Sequence, residues 1–353
     1  MSTRKMFQAV DVHSAGMVGR VIFGLGMRIR GETMADKLKF ARENLDWLRR
    51  LVLEEPRGFP AMCSPVVLPP VNPDSHFGLI VMEQGGFRPM SGSNLMCAVT
   101  AVVETGAIDV TAPEAVIRVD TAVGLVEVAA TISAGRVVNI TLRNVPAYVV
   151  ELDHVFDLPE YGKVKADIVF GGQFYVQTTA EELGVTLAPE TTRQLLQAGT
   201  VLRAAATEQF PVQHPDNPDI SGISLGMIHG APLSTGVSAT HATVMPTGPV
   251  RLDDPTTWDG IIDRSPCGTG TSARLAAMHA RGEIGEGQPY VAESITGGRF
   301  TGEIVEVSQH GTIPTVTPAI SGRAFITSFQ QLVLESDDPF PEGFRLGDIW
   351  NVC

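Results

Sequence analysis

The apolar positions of this chain fall into two helical patterns and several strand patterns. Residues 95–103 are apolar on nearly every helical face, which predicts a helix buried all round. Residues 36–53 place Leu38, Phe40, Ala41, Leu45, Leu48 and Leu51 between charged positions, which predicts one amphipathic helix. Residues 181–199 predict a second. Residues 116–128 alternate apolar and polar around Gly124, and residues 299–307 alternate likewise, so both read as strands. The 36 glycines and 24 prolines punctuate the chain throughout. The class is α+β.

One pattern occurs twice. Residues 90–108 read Met-Ser-Gly-Ser-Asn-Leu-Met-Cys-Ala-Val-Thr-Ala-Val-Val-Glu-Thr-Gly-Ala-Ile, and residues 266–284 read Pro-Cys-Gly-Thr-Gly-Thr-Ser-Ala-Arg-Leu-Ala-Ala-Met-His-Ala-Arg-Gly-Glu-Ile. Aligning Ser91 with Cys267 also pairs Gly92 with Gly268, Gly106 with Gly282 and Ile108 with Ile284, at an offset of 176 residues, half the chain. Two equivalent halves follow, each a curved sheet on a central helix. Each copy opens with a small polar turn and closes on a glycine, where a left-handed residue ends a helix. Ser91 and Cys267 thus stand at helix N-termini, whose unpaired N–H groups and partial positive charge suit a carboxylate and lower a thiol pKa. Two such ends facing one another would bracket a planar carbanion.

Composition narrows the partners. The 353 residues suffice for two domains, here 1–168, joined by 320–353, and 169–319. A net charge of −13 disfavours nucleic acid and anionic membrane, but does not exclude a small zwitterion. The N-terminus has no apolar signal-like run, and no window approaches the length of a spanning segment. Cys63, Cys97, Cys267 and Cys353 form no C-x-x-C pair and no disulfide framework, so a reducing cytoplasm is expected. No metal-ligand spacing, phosphate loop or dinucleotide fingerprint appears, and the expected cofactor is none.

Asp263-Arg-Ser-Pro-Cys-Gly-Thr-Gly-Thr-Ser-Ala273 resembles the second catalytic signature of the proline racemase family, which includes proline racemases, hydroxyproline 2-epimerases and trans-3-hydroxyproline dehydratases. Asp11-Val-His-Ser-Ala-Gly16 with Arg20, Glu55-Pro-Arg-Gly58, Gly171-Gly-Gln-Phe174, Ser294-Ile-Thr-Gly297 and Ser321-Gly-Arg-Ala324 resemble further landmarks of that family, in order along nearly the whole chain. The resemblance implies a diaminopimelate-epimerase-like pseudo-dimer, a cofactor-independent enzyme acting on an imino acid, and a chain that could pair as a homodimer. It implies catalytic roles for Ser91 and Cys267, and substrate-binding roles for Gly92, Ser93, Asn94, Asp263, Gly268 and Thr269. In the family, backbone N–H groups at the two helix starts hold the substrate carboxylate, and the acidic residue matching Asp263 lies near the ring nitrogen.

The sequence departs from that pattern where members usually read Met-Cys-Gly-His; here the chain reads Met90-Ser-Gly-Ser93. Ser224 is a further departure, at a position where epimerases tend to carry histidine. An unassisted hydroxyl is a poor base, so reversible exchange on two faces should be weak. Elimination needs only one α-proton transfer, and family members with Thr or Ser in place of one thiol are associated with it. The expectation is dehydration of trans-3-hydroxy-L-proline to a pyrroline carboxylate. The alternatives are inversion at C2 of 4-hydroxyproline or proline and, behind both, an inactive imino-acid-binding protein. Ser91 could instead be a plain N-cap, Asp263 a turn residue, and Asn94 a helix cap. His13 reads as structural, and nothing local pairs His241 with the thiol.

Overall fold

The computed structural model describes residues 5–110, 112–218 and 220–350. These divide into two compact units, Met1–Leu142 with Gly322–Val352, and Arg143–Ser321. The first 143 residues supply β1 (Lys5–Ser14), β2 (Met17–Phe23), α1 (Met34–Asn44), α2 (Asp46–Leu53), β3 (Ser64–Leu68), β4 (Phe77–Glu83), β5 (Gly86–Arg88), α3 (Gly92–Glu104), β6 (Glu114–Thr121), β7 (Gly124–Ser133) and β8 (Arg136–Arg143). There follow β9 (Tyr148–Leu158), β10 (Gly162–Phe170), β11 (Phe174–Thr179), α4 (Thr192–Gln209), β12 (Leu225–Gly230), β13 (Ala239–Pro246), β14 (Gly260–Ile262), α5 (Gly268–Ala280), β15 (Tyr290–Ser294), β16 (Arg299–His310) and β17 (Ile313–Gly322). Strand β18 (Ala324–Leu334) then returns to the first unit. The position 168, where the sequence suggests a boundary, lies inside β10, which pairs with β9 and β11 in the second unit.

The repeat extends to the sheet. In the first unit the strands run β18–β1–β2–β3–β4–β6–β7–β8, with short β5 also on β4. In the second they run β9–β10–β11–β12–β13–β15–β16–β17, with short β14 also on β13. Each has parallel pairs at the same two places, β2–β3 and β4–β6 against β11–β12 and β13–β15, and antiparallel pairs elsewhere. A parallel pair needs a crossover. In both units helices fill those crossovers: α1 and α2 or α4 at the first, α3 or α5 at the second.

Helix α3 lies on the face of its sheet carrying Ser14 and Gly19. Ser14 Oγ donates to Met96 Sδ at 3.3 Å, and a Cβ on Gly19 would meet the Cys97 side chain at 3.0 Å. Residues Asn94 to Val102 are all buried, as the all-round apolar pattern requires. The other face packs Phe7, Ile22, Ile80 and Met82 under α1 and α2. Both α3 and α5 end in the same way. Gly106 and Gly282 have φ of 70° and 72°, and Ala107 N and Glu283 N reach back to Val102 O and Met278 O, each at 2.9 Å. That is the Schellman closure the two glycines foretell.

Two helices differ from the sequence reading. Residues 36–53 form two helices, because the chain breaks at Leu45, where Asp46 starts a new first turn paired with Arg49 and Arg50. Residues 181–199 are not one helix. Gly184, at φ 64°, and Pro189 divert the chain, and α4 begins at Thr192 and continues ten residues beyond Gly199. Gly199 sits inside α4 because a Cβ there would fall on Val244 Cγ2 of β13. We expect Gly199→Ala to destabilise the protein by about 1–2 kcal/mol, overpacking outweighing the gain in helix propensity. Urea unfolding measures it, and Val244→Ala should recover part of the loss; an equally stable alanine variant would refute the close-packing account.

Candidate active site

In the second unit the candidate residues gather at the start of α5. Cys267 is the N-cap, with φ 65° and ψ 109°, and its side chain makes no capping bond. Sγ is turned instead to Tyr175 Oη of β11, at 3.3 Å, and Oη lies 2.6 Å from Thr269 Oγ1. The turn before the helix is held at several points. Cys267 N donates to Ser265 Oγ at 3.2 Å, and Ser265 N and Oγ both donate to Asp263 Oδ1 at 2.8 Å. His241 Nδ1 lies 3.2 Å from Pro266 O, while its Nε2 lies 2.8 Å from Tyr290 Oη. Burial lowers the His241 pKa to about 4, so the ring is neutral at pH 7. Nδ1 then carries the proton to the carbonyl, and Nε2 accepts from the phenol. His241 supports the carbonyl preceding the thiol rather than bonding the sulfur.

Two family landmarks support this turn. Ser294 Oγ and Thr296 Oγ1 both donate to Arg264 O, at 2.6 and 2.9 Å. Gly171 admits the first turn of α5: a Cβ there would lie 2.6 Å from Ala273 N and fall on Thr269 O. Asn144 Nδ2 ties the two together, donating to Gly171 O and to Ser272 Oγ.

The thiol itself is shifted upward, contrary to the effect expected of a helix N-terminus. Burial, and then the Asp263 carboxylate, push Cys267 up to about 11 against the opposing Tyr175, Gly270 N–H and Thr269. Cys267 is only 6% exposed and has lost the water that would solvate a thiolate. The partial charge of one helix end does not replace that solvation.

In the first unit the candidate residues gather at the start of α3. Ser91 is the N-cap with extended backbone (φ −156°), and its carbonyl accepts from Leu95 N. The side chain makes no capping bond, so the plain N-cap role is not the one it plays. Oγ accepts from Asn94 Nδ2 at 3.0 Å. Asn94 is buried, and its Oδ1 has no hydrogen-bond partner. Gly92 and Ser93 are half-buried in the first turn, as Gly268 and Thr269 are in α5. These turns leave backbone N–H groups without intrahelical partners.

Other singled-out residues have structural places. Asp11 and Arg20 form a buried ion pair at 2.9 Å. His13 stacks on Phe325, and its Nδ1 accepts from Gly16 N. Burial raises the Cys97 thiol to about 12, and Cys63 is buried. Cys353 lies outside the described residues. Ser224 N donates to Phe174 O, next to Tyr175 in the chain. Among the described residues no group of three or more His, Cys, Asp or Glu is placed to hold a metal ion. No helix among them is long and apolar enough to cross a membrane. Tyr175 and Ser265 escape the sequence reading, although Tyr175 directly follows the Gly171–Phe174 landmark and Ser265 lies inside the thiol motif.

Residues 9–345 match the family profile described as proline racemase. The chain belongs to the proline racemase family. It is 36% identical over 346 residues to a proline racemase of Clostridioides difficile, covering 98% of this chain and 100% of the relative. It is 38% identical over 346 residues to a 4-hydroxyproline 2-epimerase of Streptosporangium roseum, with the same coverage of each. A crystal structure of a hydroxyproline epimerase from Agrobacterium vitis, with bound trans-4-hydroxy-L-proline, superposes with a TM-score of 0.86 at 34% identity, covering 98% of this chain and 96% of that one. As a proline racemase family enzyme, the protein has the α+β fold of these neighbours.

Proposed function

We propose that this proline racemase family enzyme removes the α-proton of trans-3-hydroxy-L-proline and expels the 3-hydroxyl, giving pyrroline-2-carboxylate and water. The observation that carries this reading is the polarity of Ser91. Asn94 Nδ2 donates to Ser91 Oγ, which leaves the hydroxyl proton to be given to another acceptor. A hydroxyl so held is a donor and a poor partner for taking an α-proton, which leaves Cys267 as the single base and favours elimination over inversion. In this reading the Cys267 thiolate takes the α-proton. The electron pair left on Cα passes into the carboxylate as an enediolate, stabilised by backbone N–H groups at Gly92, Ser93, Gly268 and Thr269. That pair then forms the C2–C3 double bond as the C3–O bond breaks; the hydroxyl of the trans isomer lies on the same ring face as the α-proton, so the Cys267 S–H returns the proton that turns the leaving hydroxide into water. The enamine tautomerises to the imine, and the Cys267 thiolate is left ready for the next substrate.

The second reading is inversion at C2 of 4-hydroxyproline or proline. It is favoured by the names of the relatives and by the bound imino acid of the A. vitis structure. One experiment decides. Each imino acid is incubated with the protein in D2O, and the α-proton, optical purity and imine are followed. Dehydration predicts imine from trans-3-hydroxy-L-proline as the dominant product. Inversion of 4-hydroxyproline faster than any imine forms would replace the first reading with the second, and neither signal from any imino acid would remove both.

Asp263 is assigned the substrate ammonium as well as the Ser265 turn. Asp263→Asn keeps an oxygen acceptor for Ser265 but removes the charge. We expect kcat/KM to fall at least about tenfold, the cost of a lost charge-assisted hydrogen bond. In the same variant without substrate, the Cys267 thiol should alkylate faster, because the Asp263 charge helps hold its pKa up. An unchanged kcat/KM would leave Asp263 with its turn alone.

A further inference from the structure

We propose that Tyr175 is the hydrogen-bond partner that holds the Cys267 thiolate, through a three-membered chain Thr269–Tyr175–Cys267 whose donors reverse when the sulfur gains or loses a proton. The assignment rests on the reading above only in taking Cys267 as the base.

The geometry is that of a switchable chain. Tyr175 Oη lies 2.6 Å from Thr269 Oγ1 and 3.3 Å from Cys267 Sγ, while the two ends are 3.8 Å apart. The phenol has one proton and must choose. With a neutral thiol, S–H donates to Oη and Oη–H donates to Thr269. With a thiolate, Thr269 O–H donates to Oη and Oη–H donates to sulfur. In the thiolate state both hydroxyls donate within the chain; in the thiol state the Thr269 O–H is freed, and Thr269 is only half-buried, so neither state strands a fully buried hydroxyl. The phenol keeps its own proton throughout, since burial holds its pKa well above 10. The chain therefore does not compete for the α-proton.

The surroundings leave this task to Tyr175. Cys267 is buried, so solvent cannot support the thiolate. Of the titratable groups around it, Asp263 opposes the negative charge and Arg264 offsets Asp263 in part. His241 is neutral and occupied by Pro266 O and Tyr290 Oη. Met227 of β12 closes another side without a hydroxyl or N–H to give, its Sδ standing against Gly270. The remaining donors are the Gly270 N–H, Thr269 and the phenol. The placement of Tyr175 is fixed by its strand: Val176, next along β11, points into the opposite core, which turns Tyr175 to α5.

The test is the pH dependence of Cys267 alkylation by iodoacetamide in the protein without substrate, followed by mass spectrometry of the peptide bearing that residue. Tyr175→Phe should move the profile to higher pH and slow alkylation at a fixed pH below the thiol pKa about ten- to hundredfold. It should lower kcat with little change in KM, since the phenol touches the sulfur rather than the substrate. If the phenylalanine variant fails to fold, 3-fluorotyrosine at position 175 keeps the shape and makes a stronger donor; the profile should then move to lower pH. An alkylation profile unmoved by either replacement overturns the assignment. Alkylation needs no substrate, so this result is independent of whether the imino acid is dehydrated or inverted.

Discussion

Replacing Cys267 by alanine is expected to cut turnover by about 10²- to 10⁴-fold, the usual worth of a positioned general base. The fold should survive. The thiol makes no capping bond to α5, and its loss leaves the Tyr175 hydroxyl with Thr269 as partner. The deletion thus removes one polar atom without stranding another. Measurement of α-deuterium incorporation and imine formation, beside a circular dichroism melt, separates chemistry from folding. An alanine variant within tenfold of the wild-type rate would show that another group takes the proton.

The second large effect is expected at Ser91. Ser91→Cys should raise inversion of proline or 4-hydroxyproline, relative to imine formation, by at least about tenfold. Inversion requires an acid and a base on opposite faces that exchange roles in the reverse direction. A hydroxyl and a thiol differ by several pKa units, each worth about 1.4 kcal/mol; two thiols are matched. Elimination gains less, because it moves only one α-proton. Asn94 would still donate to the new sulfur and help carry its charge. The ratio of inverted product to imine, compared between wild type and variant, is the readout. If the wild type already inverts faster than it eliminates, Ser91 is an activated base. If the variant gains no inversion, Ser93 in place of the family histidine is the next residue to change.

The halves, their central helices and the residues that open them were legible in the sequence, because a buried helix start has few chemical solutions. Ser91, Cys267, Gly106 and Gly282 mark the ends of helices by their types alone. The parallel crossovers at β2–β3 and β11–β12 were not legible. They depend on which strands meet, and no local pattern specifies a partner. The break at Leu45 was hidden because Leu45 keeps the apolar period while its backbone leaves the helix. Tyr175 was hidden differently. It lies between Phe174 and Val176, where an aromatic residue signals core, and only the register of β11 turns its hydroxyl to the thiol. The direction of the Cys267 shift also needed the structure: the sequence reveals the helix end but not the depth of burial.

The backbone at Cys267, with φ 65° and ψ 109°, is a conformation that any side chain resists and only glycine adopts at ease. Such a position costs of order 1–3 kcal/mol, and the hydrogen bonds that Cys267 N gives to Ser265 and that His241 and Ser294 give to this turn are what hold it there. Glycine is therefore the residue that stability alone would choose at the position where the proposed reaction needs a thiol. Selection for robustness and selection for rate pull in opposite directions at a single codon. A lineage released from the need to turn over imino acids would be expected to lose its thiol first, and to gain thermal stability in doing so.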